Sequence, residues 1–298
     1  MKNKKNIIKR ICHRMLSVLF RSINSILCTL GIVRPKVIIM MDGGICSQMV
    51  QYLCGRIYKD VPVDVCYDTR FFIENGKDMD GKFERKLEFQ EMFPTLPFAT
   101  ISMRQSNFYR RYFSYGCGGS VLPNPESIKR TTYFNGYYRL PTDCDFKSLI
   151  QEFKLNMRHD SKHLPKNEGG INCAVHVRRG YLANRETECY KSVQKDYFIT
   201  AMNYVVENYI NVHFCFFSDE LDWVQENLCH LVNVPYNMIR GNKVWEDLAL
   251  VSECDVVIAS QGSFGTMGAR LNGSSDLIVP DVFDPNGFII RNFSVDCF

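Results

Sequence analysis

INCAVHVRRG, residues 171–180, decides the fold. Its first seven residues carry no Lys, Arg, Asp or Glu and read as a strand buried on both faces. Two arginines stand where that strand gives out. A strand covered on both faces belongs in a parallel sheet flanked by helices, and the neighbouring segments agree. Phe198, Met202, Val205 and Tyr209 recur at helical spacing. VHFCFF (212–217) is a second apolar run, ending at Ser218-Asp219-Glu220, and a helical pattern follows through Trp223 and Leu228. WEDLALVSEC (245–254) reads as a helix, DVVIAS (255–260) as a strand, QGSFGTMGARLN (261–272) as a Gly-rich turn opening a helix, and LIVP (277–280) as a closing strand.

The same order begins earlier in the chain. KVIIMM (36–41) reads as a buried strand, DGGICSQ (42–48) as a turn leading into a helix through Met49, Leu53 and Ile57, and VDVCY (63–67) as the next strand. Strand, turn, helix, strand is a βαβ unit and implies parallel pairing. Residues 70–140 are rich in aromatics and turn residues, with a tyrosine-dense island at YFNGYYRL (133–140), and a helix is expected over 146–158. HDSKHLPKNEGG (159–170) has the composition of a linker. The expected architecture is α/β, with two Rossmann-like domains facing a cleft, as in the GT-B glycosyltransferases. Its parts would be a basic segment over 1–35, an N-terminal domain over 36–165 and a C-terminal domain over 166–298.

A chain of 298 residues is comfortable for two domains. Its formal charge of +4 hides an asymmetry: residues 1–36 hold nine Lys or Arg and no Asp or Glu, leaving 27 bases against 32 acids elsewhere. The basic character belongs to the N-terminus, which argues against nucleic acid as a partner. That segment, IIKRICHRMLSVLFRSINSILCTLGIV, has a longest uncharged run of 12 residues, Ser22–Val33. This is short of the ~20 needed to span a bilayer. Charges interrupt what would be the apolar region of a cleavable signal. A helix lying on a membrane surface fits better, beside the plainer reading of a surface helix or basic tail. The 13 cysteines are scattered, with no C-x-x-C and no zinc-type spacing. They read as small core hydrophobes in a reducing compartment, so the expected location is cytoplasmic, peripheral at the inner face of a bacterial membrane.

In parallel α/β sheets ligands bind beyond the carboxyl ends of the strands. Four polar clusters sit there. After the first strand come Asp42, Gly43, Gly44 and Gln48. After 171–177 come Arg178, Arg179 and Gly180, with His176 inside the strand. Ser218 and Asp219 follow 212–217, and Ser260, Ser263 and Phe264 follow 255–259. Adjacent guanidinium groups suit a diphosphate; they suit equally a pair of acids on a neighbouring element. A Ser/Gly turn before a helix offers backbone N–H groups to an anion; Ser263 could instead simply cap that helix. Asp219 and Glu220 could bind a ribose, base or sugar hydroxyl, or serve as helix-start acids.

The segments IIMMDGGICSQMVQYLCGRIY, YFNGYYRL, VHVRRG, FSDELDWVQENL and DLALVSECDVVIASQGSFGTMGARLN resemble, in order, those of the family 11 glycosyltransferases, the α-1,2-fucosyltransferases. Gly43, Gly44, Gln48, Met49, Gln51 and Tyr52 match the family's opening motif. His176, Arg178 and Arg179 match its H-x-R-R, and Ser263, Phe264, Gly268, Ala269, Leu271 and Asn272 match its last motif. The resemblance implies an inverting transfer of L-fucose from GDP-β-L-fucose to a galactose-type hydroxyl of a surface-polysaccharide or glycolipid acceptor, with no cofactor and no metal. It makes Arg178 the catalytic group that stabilises the departing GDP. His176, Arg179, Gly180, Ser218, Asp219, Ser260, Ser263 and Phe264 would accompany it in donor binding. Asp42, Gly43, Gly44 and Gln48 would belong to the acceptor side or cleft.

Inversion calls for a group to take the acceptor's proton. Glu186 is the candidate by its spacing from His176 in the related α-1,6-fucosyltransferases, with Glu188 and Asp42 as other acids. The sequence departs from the family at Tyr181, where Asp is common, and at Gly265-Thr266-Met267, where aromatics are common. The alternatives are another GDP-sugar or linkage on the same fold, or a non-catalytic scaffold that binds a nucleotide sugar. The expected partners are a GDP-sugar, an oligosaccharide or lipid-linked glycan acceptor, and a peripheral membrane contact through 1–35.

Overall fold

The computed structural model describes residues 2–77, 81, 84–116, 119–158, 163–165, 167–179, 195–231, 233–273, 275–281, 284 and 287–292, with side chains from Asn6 onward. The chain divides into two compact units. Unit 1 comprises residues up to Gln90 and Thr95–Leu149; unit 2 comprises Glu91–Pro94 and the residues from Ile150 on.

Unit 1 opens with helix α1 (Lys2–Thr29), followed by β1 (Lys36–Met40), α2 (Ile45–Arg56), β2 (Asp64–Asp68), the short α3 (Arg70–Glu74), α4 (Phe89–Met92, at the unit's edge), α5 (Met103–Tyr112), β3 (Ser114–Tyr115) and β4 (Thr132–Phe134). The strands pair in parallel in the order β2-β1-β4-β3. β1 is central, which is why KVIIM is apolar throughout and Val37, Ile38 and Ile39 are buried. One face of the sheet carries Ile38, Cys66 and Tyr133 against Phe113 at the end of α5, Tyr109 and Tyr112 of α5 and Phe20 of α1. Helix α5 starts at a capping box, with Ser102 and Gln105 exchanging side-chain and backbone bonds.

Unit 2 contains α6 (Phe146–Asn156, from its second turn on), β5 (Ile171–Val177), α7 (Lys195–Asn208), β6 (Val212–Ser218), α8 (Leu221–Asn227), β7 (Tyr236–Met238), α9 (Val244–Val251), β8 (Val256–Ala259), α10 (Ser263–Asn272), β9 (Asp276–Pro280) and β10 (Phe288–Asn292). The order is β10-β9-β8-β5-β6-β7, with every pair parallel except β9–β10. β5 lies at the centre, and its alternation serves two layers. Cys173, Val175 and Val177 pack with Tyr197, Phe198, Ala201 and Met202 of α7 and Val224 of α8. Ala174 packs with Val251 of α9 and Ala269 of α10 on the other side. Going outward from β5, β6 and β7 run one way and β8 and β9 the other. This reversal between β5 and β8 leaves a crevice at the strands' carboxyl ends.

The ten cysteines among the described residues are free thiols and seven are buried, as expected of core hydrophobes. Among the described residues no helix is long and apolar enough to cross a membrane.

Candidate active site

The crossover between β5 and β8 brings His176, Arg178, Ser260 and Phe264 together. The Ser260 amide donates to the His176 carbonyl at 2.9 Å. The Arg178 amide donates to Ser260 Oγ at 2.9 Å, and that hydroxyl lies 3.3 Å from His176 Nδ1. Ser260 is thus the tie between the two strand ends. His176 is buried and stacks on Phe264, with ring centroids 4.8 Å apart. Burial first, and the Arg178 charge second, push its pKa down to about 3. The His176 imidazole is therefore neutral near pH 7, held between the Phe264 ring and the Ser260 hydroxyl.

Both arginines have carboxylate partners from the end of β6. Arg178 Nη1 lies 2.7 Å from Asp219 Oδ2. The other oxygen of the same carboxylate accepts the Arg179 amide at 3.0 Å. One acid, its side chain 12% exposed, thereby clamps two consecutive residues. Arg179 Nε pairs with Glu220 at 3.1 Å, and its guanidinium lies 3.8 Å from the centre of the Trp223 ring. Of the two sequence readings of the pair, neighbouring acids as partners are present. Asp219, assigned from sequence to the donor, is in direct contact with the arginines. Ser218 turns inward and donates to the Val177 carbonyl at 2.7 Å, closing the β5–β6 end. Beside these groups Asp219, Glu220, Asp222, Trp223 and Arg240 line a cavity of about 500 Å³.

Helix α10 points its N-terminus toward the same crossover. Gly262 holds the N-cap position with φ +120°, a conformation open to glycine, and as glycine it offers no side chain to cap the helix. Ser263 is the first helical residue and is exposed, so it is not the cap. Among the described residues no side chain accepts from the first amides of α10, which is the requirement for holding an anion. Gly265 and Gly268 serve packing. A Cβ on Gly265 would come within 2.5 Å of Ala259 Cβ, and one on Gly268 would collide with Val251. Asn272, at the other end, donates to the Ser252 and Cys254 carbonyls and is structural.

In unit 1 the turn after β1 gathers a second polar group. Asp42 and Gln51 are doubly bonded, amide to Oε1 at 2.9 Å and Nε2 to carboxylate at 2.5 Å. Tyr137 bonds Ser47 and Asp42 through its hydroxyl, which desolvation and the Asp42 charge hold at about 12. Arg85 would meet a Cβ placed on Gly44 at 3.3 Å. Arg85 and Tyr137 were not read from sequence, because nothing local ties either to the β1 turn. Gln48, grouped from sequence with the acceptor side, is fully buried. It donates to the Gly43 and Lys86 carbonyls and accepts from the Glu88 and Phe89 amides, so its polar atoms are spent on the fold. Gly180, Tyr181, Glu186 and Glu188 lie outside the described residues.

Two α/β units, with a parallel sheet in the first and one parallel but for its edge strand β10 in the second, are the fold of the GT-B glycosyltransferases. Solved structures share the fold. NodZ, an α-1,6-fucosyltransferase soaked with GDP-fucose, matches with a TM-score of 0.55 at 12% identity over 87% of this chain and 99% of that one. A mutant of FUT1 of Arabidopsis thaliana, in complex with GDP, matches at 0.50 and 10% over 83% and 70%. The model of glycosyl transferase family 11 matches residues 129–285, more than half the chain, and the protein belongs to that family. An α-1,2-colitosyltransferase of Escherichia coli is 24% identical over 259 residues, 79% of this chain and 87% of that protein.

Proposed function

We propose that this enzyme transfers a deoxy-L-hexose from its GDP derivative, L-fucose from GDP-β-L-fucose, to a galactose-type hydroxyl in α-1,2 linkage, on a surface-polysaccharide or glycolipid acceptor. The carrying observation is the pairing of Arg178 and Arg179 with the uncapped start of α10 at the β5–β8 crossover. Departure of GDP builds charge on the β-phosphate, and a fixed guanidinium with helix amides beside it stabilises that charge. In this reading unit 2 takes the donor. Arg178 is catalytic, and Arg179 and the Ser260–Phe264 turn bind the diphosphate. Asp219 positions both arginines. Unit 1 takes the acceptor at Asp42, Gly43 and Gly44, and Glu186 accepts the proton. Residues 1–35 hold the enzyme at a membrane surface.

The colitosyltransferase likeness supports a second reading of the donor. Colitose is L-fucose without its 3-hydroxyl, so the two donors differ by one polar group. Thermal shifts of the purified protein with GDP, GDP-fucose, GDP-colitose, UDP and UDP-galactose test both. A ligand at 100 times its dissociation constant adds about 2.7 kcal/mol. Shifts with the guanosine compounds alone are expected, and the larger shift of the two GDP-sugars selects the donor. A uridine-only response, or none, overturns the proposal. Labelled-sugar transfer abolished in Arg178→Ala then distinguishes an enzyme from a scaffold.

A further inference from the structure

Helix α1 is attached to unit 1 the wrong way round for a soluble protein. Its polar side makes the attachment. Arg21 donates to the Tyr112 and Ser114 carbonyls at 2.7 and 3.0 Å, and Asn24 accepts the Thr131 amide at 2.8 Å. Phe20 packs edge-on to Phe108 and against Tyr112, and Leu27 and Cys28 are half-buried on the same side. The opposite side carries an apolar stripe, interrupted at Ser22. At 3.6 residues per turn Ile8, Ile11, Met15, Leu19 and Ile26 fall on one face, and they are 52–68% exposed. An ordinary surface helix turns that stripe to the core. Here the polar bonds hold it outward, and Leu30 and Ile32 prolong it beyond the helix, 66% and 67% exposed. A patch of this extent on one element marks an interaction surface.

We propose that α1 lies in the surface of an anionic lipid bilayer, with the stripe in the acyl boundary and unit 1 carried on its polar side. Charge selects this occupant over a second copy of the chain. Lys9 and Arg14 border the stripe on opposite margins of the helix, both exposed, and no acid occurs in residues 1–36. Two such helices facing each other repel, whereas anionic headgroups attract both margins. The inference deepens the membrane contact proposed above. It does not need the sugar chemistry, and its test uses no sugar, so either reading can fail alone.

The test is flotation of the full-length protein with vesicles of phosphatidylcholine alone or of phosphatidylcholine with phosphatidylglycerol. At least tenfold tighter binding to the anionic vesicles is expected, weakening in high salt. Ile11→Asp with Met15→Asp should lose at least tenfold in binding with an unchanged thermal midpoint, because both positions face solvent. Lys9→Gln with Arg14→Gln, which keeps the stripe, should lose the preference for anionic vesicles. Unchanged binding in the Asp double variant overturns the proposal. So does wild-type protein that ignores vesicles and sediments as a dimer which that variant makes monomeric.

Discussion

Arg178 and Asp219 meet at 2.7 Å, and the chemistry of the site turns on what that contact does. A guanidinium that is already held in place costs no reorganisation when a diphosphate arrives, which is the advantage of a preorganised charge. Removing it in Arg178→Ala should lower kcat by about 100- to 1,000-fold. Arg178→Lys should recover little, since a point charge cannot serve a carboxylate and a phosphate in one plane. Asp219→Asn is the sharper variant. Its amide oxygen still accepts the Arg179 N–H, but no charge faces Arg178. A positioning role predicts about a tenfold loss in kcat, about 1.4 kcal/mol, with the thermal midpoint little changed. Loss of stability with kcat intact would leave Asp219 a purely structural acid. His176 makes a prediction in acid. Its folded pKa of about 3 lies below the ordinary value of 6.5, so the unfolded chain binds the proton first and stability falls between those two values as pH drops. By pH ~4.5 the cost should reach about 2–3 kcal/mol relative to neutral pH. Urea titrations of wild type and His176→Phe should diverge over that window and run parallel above pH ~6.5, because phenylalanine keeps the stack on Phe264 and cannot titrate.

At the scale of elements, α10 decides whether the crossover is open. Its two inner glycines let it lie against β8 and α9. Gly265→Ala should cost about 1–3 kcal/mol in a urea melt, although alanine favours helix by about 1 kcal/mol, because the new methyl meets a strand side chain that cannot move away. An unchanged melt would mean that α10 shifts at no cost. The helices and strands of the crossover were legible because apolar runs, helical spacing and Ser/Gly turns are local signals. The acids that clamp the arginines were legible as a cluster, but their partner was not: Asp219 is 41 and 40 residues from Arg178 and Arg179, and only the β5–β6 register brings them together. Helix α5 carried an unused signal in its Ser102–Gln105 capping box. The edge strands β3 and β7 are too short for any period to register. Amphipathicity was readable in α1, but a period says which residues share a face and not which face docks. Three polar groups scattered over unit 1, the Tyr112 and Ser114 carbonyls and the Thr131 amide, settle that.

The molecule has two units with different cores, the proposed reading gives them different tasks, and the tryptophans fall in one of them. Trp223 and Trp245, the two in the sequence, both belong to unit 2. Trp245 is buried, and Trp223 lies beneath Arg179 at the edge of the cavity. Tryptophan emission therefore reports the proposed donor unit, and Trp223 should sense the nucleotide directly. Saturating GDP at about 100 times its dissociation constant adds about 2.7 kcal/mol, which for a unit of this size raises a melting midpoint by roughly 5–10 °C. The expected result is that rise in the tryptophan-detected transition, with a change in emission at low temperature before any melting. Asp219→Asn should reduce the rise, and Asp42→Asn, in unit 1, should leave it intact. A GDP-induced rise lost in Asp42→Asn but kept in Asp219→Asn would move the donor to unit 1 and reverse the division of labour.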